Sequence, residues 1–123
     1  MSDYTITELD ISNKGLTQLP DDIHLYTKLD TLFCDINQIT QLDNLPLGLK
    51  ELDCGCNKIT QLDNLPIGLE ILYCGSNKLT QLDNLPPGLK ELYCSRNPLI
   101  YEFEPTIENI KKYNASIANI PCS

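Results

Sequence analysis

Apolar residues recur along this chain with a period of twenty. Residues 29–48 read LDTLFCDINQITQLDNLPLG, residues 49–68 read LKELDCGCNKITQLDNLPIG, and residues 69–88 read LEILYCGSNKLTQLDNLPPG. A fourth copy starts at Leu89 as LKELYCSRNPL and then departs from the pattern. Upstream, residues 6–28 keep apolar residues at Ile6, Leu9, Ile11, Leu16 and Leu19 in a unit three residues longer. Within one unit, Leu49, Leu52 and Cys54 lie at spacings of three and two. The Leu52-Asp53-Cys54 alternation predicts a short strand with Leu52 and Cys54 inward and Asp53 outward. Asn57 ends that strand. Its amide is suited to bonding the turn's backbone and to bridging adjacent turns. Asn37, Asn77 and Asn97 hold the same slot, and Lys14 holds it in the irregular first unit. Ile59, Leu62 and Leu65 bring the chain back along the core. Pro66 and Gly68 set the bend before the next strand, with Gly68 expected at positive φ.

One such unit cannot cover its own apolar positions. Stacking units at roughly 4.8 Å per strand joins them into a continuous core, and a chain that completes one coil per unit makes the strands parallel. The return segment TQLDNLP is too short and too proline-bounded for an ordinary helix, so extended or 3₁₀ structure is expected there. The longer first unit has room for about one helical turn. Near the C-terminus, Pro105 and Glu108 suit the start of a helix, and Ile107, Ile110 and Tyr113 share one face of it. That face is assigned to covering the last coil. The expected organisation is one domain over residues 1–123. Its repeats are about 6–28, 29–48, 49–68, 69–88 and a partial 89–100, with a cap over about 101–114 and a tail over 115–123.

The LxxLxCxxNx(I/L) pattern resembles the leucine-rich repeat family, with Cys in a slot often held by Leu. The unit length and the LP-x-G ending are similar to the short repeats of bacterial secreted effectors. The LDNLPxGLKEL phrase, followed by a Cys two residues on, also resembles repeat proteins of giant viruses that infect amoebae. The resemblance covers about residues 6–100. It implies an α/β-type repeat solenoid, a short arc with a parallel concave β-sheet, an irregular or 3₁₀ convex side and a short C-terminal capping helix. It also implies a recognition surface. In some bacterial effectors such repeats deliver substrates to a separate ubiquitin-ligase domain. No such domain fits in the remaining residues, so that activity is not carried over.

Charge narrows the partners. Seventeen acidic residues against nine basic ones give a net charge of −8. This argues against a nucleic acid or an anionic membrane surface as partner. No apolar run approaches the roughly 20 residues of a membrane span. Met1-Ser2-Asp3-Tyr4 lacks the basic and apolar regions of a secretory signal, so a cytoplasmic location is expected, the host-cell cytoplasm if the source is viral. Cys34, Cys54, Cys74 and Cys94 fall in one structural slot, and in a reducing compartment they read as buried thiols. Cys56 and Cys122 are the candidate accessible thiols.

Between the inward residues lie the positions that face outward from the sheet. The fifth position of successive units holds Asp10, Phe33, Asp53, Tyr73 and Tyr93, and the third holds Glu8, Thr31, Glu51, Ile71 and Glu91. Phe33, Tyr73 and Tyr93 are candidate anchors for a protein or peptide, because aromatic side chains give large contact area at low entropic cost. Glu51, Asp53 and Glu91 would select basic groups. The alternative is that the aromatics merely shield a sheet, where they are favoured anyway. Five strands at about 4.8 Å, with about five exposed residues each, give a face on the order of 400 Å². That is half of the roughly 800 Å² one partner contributes to a standard interface, so the face suits a peptide or part of a larger surface. The second reading is a structural or self-assembling solenoid, associating through an incompletely covered end. A weaker one is an enzyme with an unrecognised surface site.

Other chemistry has less support. Asp43, Asp63 and Asp83 form an acidic ladder, but calcium takes six to eight converging oxygens and one Asp per coil reads as turn formation. Cys54-Gly55-Cys56 lacks the second pair of ligands zinc prefers. The lone His24 sits in the irregular first unit and reads as a surface residue. Nothing recesses a carboxylate pair, and no phosphate-cradling glycine motif occurs. Asn114-Ala115-Ser116 matches a glycosylation sequon that a cytosolic chain would not use. The sequence calls for no metal, no cofactor and no catalytic residue.

Overall fold

The computed structural model describes residues 2–118. Five three-residue strands form one parallel sheet in chain order: β1 (Glu8–Asp10), β2 (Thr31–Phe33), β3 (Glu51–Asp53), β4 (Ile71–Tyr73) and β5 (Glu91–Tyr93). Leu9, Leu32, Leu52, Leu72 and Leu92 are register partners in sequence. Leu32, Leu52 and Leu72 are fully buried, as are Cys34, Cys54 and Cys74 behind them. The core continues through Leu29, Leu49 and Leu69 and through Ile39, Ile59 and Leu79. Each turn thus supplies the same inward positions, and each inner turn is covered by its neighbours.

The Asn slot holds the turns together. Asn57 Nδ2 donates to the carbonyls of Cys34 in the preceding turn (3.1 Å), Cys54 (3.0 Å) and Gly55 (3.1 Å), while its Oδ1 accepts from Ile39 N–H (3.0 Å). Asn37, Asn77 and Asn97 repeat this arrangement. At the first unit, Lys14 takes no part through its side chain. Its backbone N–H instead donates to Asn37 Oδ1 at 3.0 Å. The residue before each Asn slot lies in the left-handed region: Asn13, Ile36, Cys56, Ser76 and Arg96 have φ between 53° and 58°.

The convex side is irregular. The only 3₁₀ segment among the described residues is Ile23–Leu25, in the longer first unit. In the other units the bend closes through Leu49 N–H to Pro46 O, Leu69 N–H to Pro66 O and Leu89 N–H to Pro86 O. Gly68 does not take positive φ, contrary to the sequence reading. Gly15 is the glycine that does, at 67°, and on the convex side Asn44 (59°) and Asn64 (57°) turn the chain instead. The Pro-x-Gly-Leu bend closes as an ordinary i→i+3 turn, which needs no left-handed residue.

The C-terminal helix α1 spans Ile107–Ala118, continuing past residue 114. Pro105 lies just before it and Thr106 caps it, its Oγ1 accepting from Asn109 N–H at 3.1 Å. Ile110 is fully buried, with Ile107 packed beside it. Tyr113 meets Tyr101 edge-on, centroids 5.2 Å apart. Asn114 Nδ2 donates to Leu82 O (2.9 Å) and Asp83 O (3.0 Å), so the sequon amide is engaged in fastening the helix to the last convex segment. At the other end, Tyr4 stacks edge-on with Tyr26 (4.9 Å) and its hydroxyl donates to Asp22 at 2.8 Å.

Candidate protein-binding face

Period-two alternation turns Leu52 inward and leaves Glu51 and Asp53 on the opposite side of the sheet. The parallel register then sets Glu8, Thr31, Glu51, Ile71 and Glu91 in one row, and Asp10, Phe33, Asp53, Tyr73 and Tyr93 in the next. All six candidate residues, Phe33, Glu51, Asp53, Tyr73, Glu91 and Tyr93, therefore share one face. Phe33, Glu51, Asp53 and Tyr73 are half-buried, while Glu91 and Tyr93 on the last strand are exposed.

Tyr73 and Tyr93 stack face to face, with centroids 4.8 Å apart and planes 7° from parallel. The Tyr93 hydroxyl donates to Glu91 Oε1 at 2.8 Å, which pushes its pKa up. Burial raises that of Tyr73, helped by Glu51, Glu91 and Asp53. The Tyr93 phenol is thus held as a donor to Glu91, with Tyr73 stacked beside it. Asp53 is also pushed up, first by burial and then by the charge of Asp35, although Gly55 N–H donates to its Oδ1 at 3.0 Å and opposes this. Beside the aromatic pair the surface dips at Gly55 and Gly75. A Cβ on Gly75 would lie 3.2 Å from Ser95 O, and one on Gly55 would lie 3.3 Å from Asp53 Oδ1. A side chain at either position would press on these neighbours by a few tenths of an ångström.

Elsewhere the structure brings less together. Asp43 and Asp83 each accept from a glutamine two residues earlier at 2.8 Å, which accounts for them as turn residues. Among the described residues no group of three or more His, Cys, Asp or Glu converges on a metal-sized site. Cys34, Cys54, Cys56, Cys74 and Cys94 are free thiols, and Cys56 is the exposed one. Cys122 lies outside the described residues. No helix among them is long and apolar enough to cross a membrane.

A coiled stack of short parallel strands, leucines in register and an asparagine ladder at each strand's end defines a leucine-rich-repeat-like arc. No family model matches the chain, and no curated protein does. Solved structures do. YopM from Yersinia enterocolitica is 32% identical over 82% of this chain, with a TM-score of 0.58. A Shigella effector LRR domain is 28% identical over 84% of it, with a TM-score of 0.59. The chain spans 20% of the former's length and 54% of the latter's. The fold is therefore related to the repeat domains of bacterial effectors. Neither of these two is viral, so the resemblance to giant-virus repeats has no counterpart in them.

Proposed function

We propose that this chain is a non-catalytic module that binds a protein or peptide on the concave face, with Phe33, Tyr73 and Tyr93 as anchors and Glu51, Asp53 and Glu91 selecting basic groups. The observation that carries this reading is the stacked, partly exposed Tyr73–Tyr93 pair set among those carboxylates. A guanidinium or ammonium group laid on such a pair gains both cation–π attraction and a charged partner. The third and fifth positions of the sheet hold no basic side chain, so no cation shares those two rows with the carboxylates. The likeness to effector repeat domains supports a protein partner. The LDNLPxGLKEL phrase alone carries the further proposal of a giant-virus lineage.

Proximity labelling tests this. The chain and a Phe33→Ala/Tyr73→Ala variant of unchanged melting temperature are compared in the same cells. Partners labelled by the first and missing from the second support the concave face. An identical set from both removes it. Light scattering on the same samples separates recognition from the self-assembling alternative, which requires a mass above that of one chain.

A further inference from the structure

The last strand is built like those before it, but its outer ladder is unused. Cys34, Cys54 and Cys74 N–H donate to the next strand at Asp53 O (2.9 Å), Tyr73 O (2.8 Å) and Tyr93 O (2.8 Å). Ile36, Cys56 and Ser76 N–H donate likewise to Gly55, Gly75 and Ser95 (3.0, 3.0 and 2.9 Å). The β5 equivalents are Cys94 and Arg96, and among the described residues neither N–H has a protein acceptor. On the acceptor side, the carbonyls of Asp30, Lys50 and Glu70 each take two amides from the following turn, while that of Lys90 takes none among the described residues.

The segment leading into the cap lies against Cys94, whose Sγ is 3.7 Å from Pro105 O, but among the described residues it pairs with none of these outer backbone groups. Helix α1 is fastened to the convex side through Asn114 and lies over the core through Ile110. Between β5 and the segment leading into α1 runs a groove of about 560 Å³. Leu92, Tyr93, Pro105 and Ile107 give it apolar walls, and Glu104 and Glu108 are the charged residues that line it. Glu108 pairs with Lys112 at 3.5 Å, but both side chains are more than 70% exposed, and such a pair is easily exchanged.

We propose that the β5 edge and this groove bind an extended peptide in which lysine or arginine alternates with apolar residues, adding it as a sixth strand. Alternate side chains of a strand point to opposite faces. One set would enter the groove against Leu92, Pro105 and Ile107. The other would lie on the concave side beside Tyr93 and Glu91, with Glu104 and Glu108 adding attraction. Main-chain hydrogen bonds to Cys94, Arg96 and Lys90 would fix the register. The charges disfavour a second copy of this chain as occupant. Its other free edge, β1, would bring Glu8 beside Glu91 and Asp10 beside Tyr93.

The probe is an acetylated, amidated octapeptide of alternating lysine and valine, titrated into the isotope-labelled protein and followed by amide NMR. Shifts confined to residues 90–96 and 104–108 are expected. Glutamate in place of lysine should abolish them, and Glu104→Gln/Glu108→Gln should weaken binding about fivefold. N-methylating alternate peptide residues should abolish binding in one frame and spare it in the other, because only one set of amides faces the edge. Cys94 and Arg96 amides exchanging as slowly as those of Cys54 and Cys74 in the free protein would overturn the proposal. So would shifts centred on Phe33 and Tyr73, equal effects in both N-methylation frames, or no shift at saturating peptide. Since Phe33 and Tyr73 lie outside the groove, this result and the concave-face result are separable.

Discussion

Asn77 and Cys54 belong to different turns of the solenoid, yet the Asn77 amide donates to the Cys54 carbonyl at 3.0 Å. The same nitrogen serves Cys74 O at 3.1 Å, and the side-chain oxygen accepts from Ile59 N–H at 3.0 Å. Cys54 O also accepts from Asn57 and Cys74 O from Asn97, so each carbonyl is shared by two rungs of the ladder, while the Ile59 N–H depends on Asn77 alone.

Replacing Asn77 by Ala should therefore cost about 2 kcal/mol in denaturant unfolding, since the buried Ile59 N–H loses its partner and two carbonyls each lose one of two donors. Asn97→Ala should cost less, because its slot is half-exposed at the end of the stack. Asn77→Asp keeps the size but replaces the donating amide by an acceptor facing carbonyls. It should be at least as harmful as the alanine variant, and a mild effect would assign the slot to packing instead of hydrogen bonding.

Ile36 offers a change in the opposite direction. Its φ is 55° and its side chain is 52% exposed, so a β-branched residue sits in the left-handed region with little packing to compensate. Such a conformation costs roughly 1–2 kcal/mol. Ile36→Asn, the residue type found at the equivalent Asn13, should raise stability by about 1 kcal/mol with no change in the cooperativity of unfolding. The Ile36 N–H bond to Gly55 O, 3.0 Å, is backbone and survives the substitution.

Ile36 also shows where the sequence ceases to be readable. The twenty-residue period made the strands, their register and the inward Leu and Cys slots legible, because one pattern repeated in several copies leaves a single way to stack them. The six face residues followed from that register. The left-handed slot did not, since its occupants Asn13, Ile36, Cys56, Ser76 and Arg96 share no turn propensity. The asparagine ladder and the neighbouring turns impose that conformation. Gly68 misled for the converse reason: a glycine after proline suggests positive φ, whereas the bend closes without it. The groove beside β5 depends on where α1 docks, which no local pattern encodes.

Asp53 gives the concave face a pH dependence. Its folded pKa is raised by burial and by Asp35. A raised carboxylate contributes nothing unfavourable below its unfolded value, where it is neutral in both states. The cost grows as pH rises through the folded pKa and then levels off. Asp53→Asn retains an oxygen for Gly55 N–H and removes the charge. Its melting temperature should exceed the parent's by about 2 °C at pH 7. The gap should close as pH falls below the ordinary aspartate range. A gap independent of pH would refute the assignment.

The cysteine slot predicts a division of reactivity. Burial pushes the Cys34 and Cys74 thiols up to about 12, and the fully enclosed Cys54 well above its ordinary value. At pH 8 a thiol with a pKa near 12 is ionised to about one part in ten thousand, and the thiolate is the nucleophile. Cys56 is exposed at the strand's end. In a Cys122→Ser background, native protein treated with a thiol reagent at pH 8 should label one equivalent rapidly, and Cys56→Ser should remove that phase. The remaining thiols should react only at the rate of unfolding. Rapid labelling of Cys54 or Cys74 in the native state would mean that adjacent coils do not enclose this slot, and the stacked core would have to be redrawn.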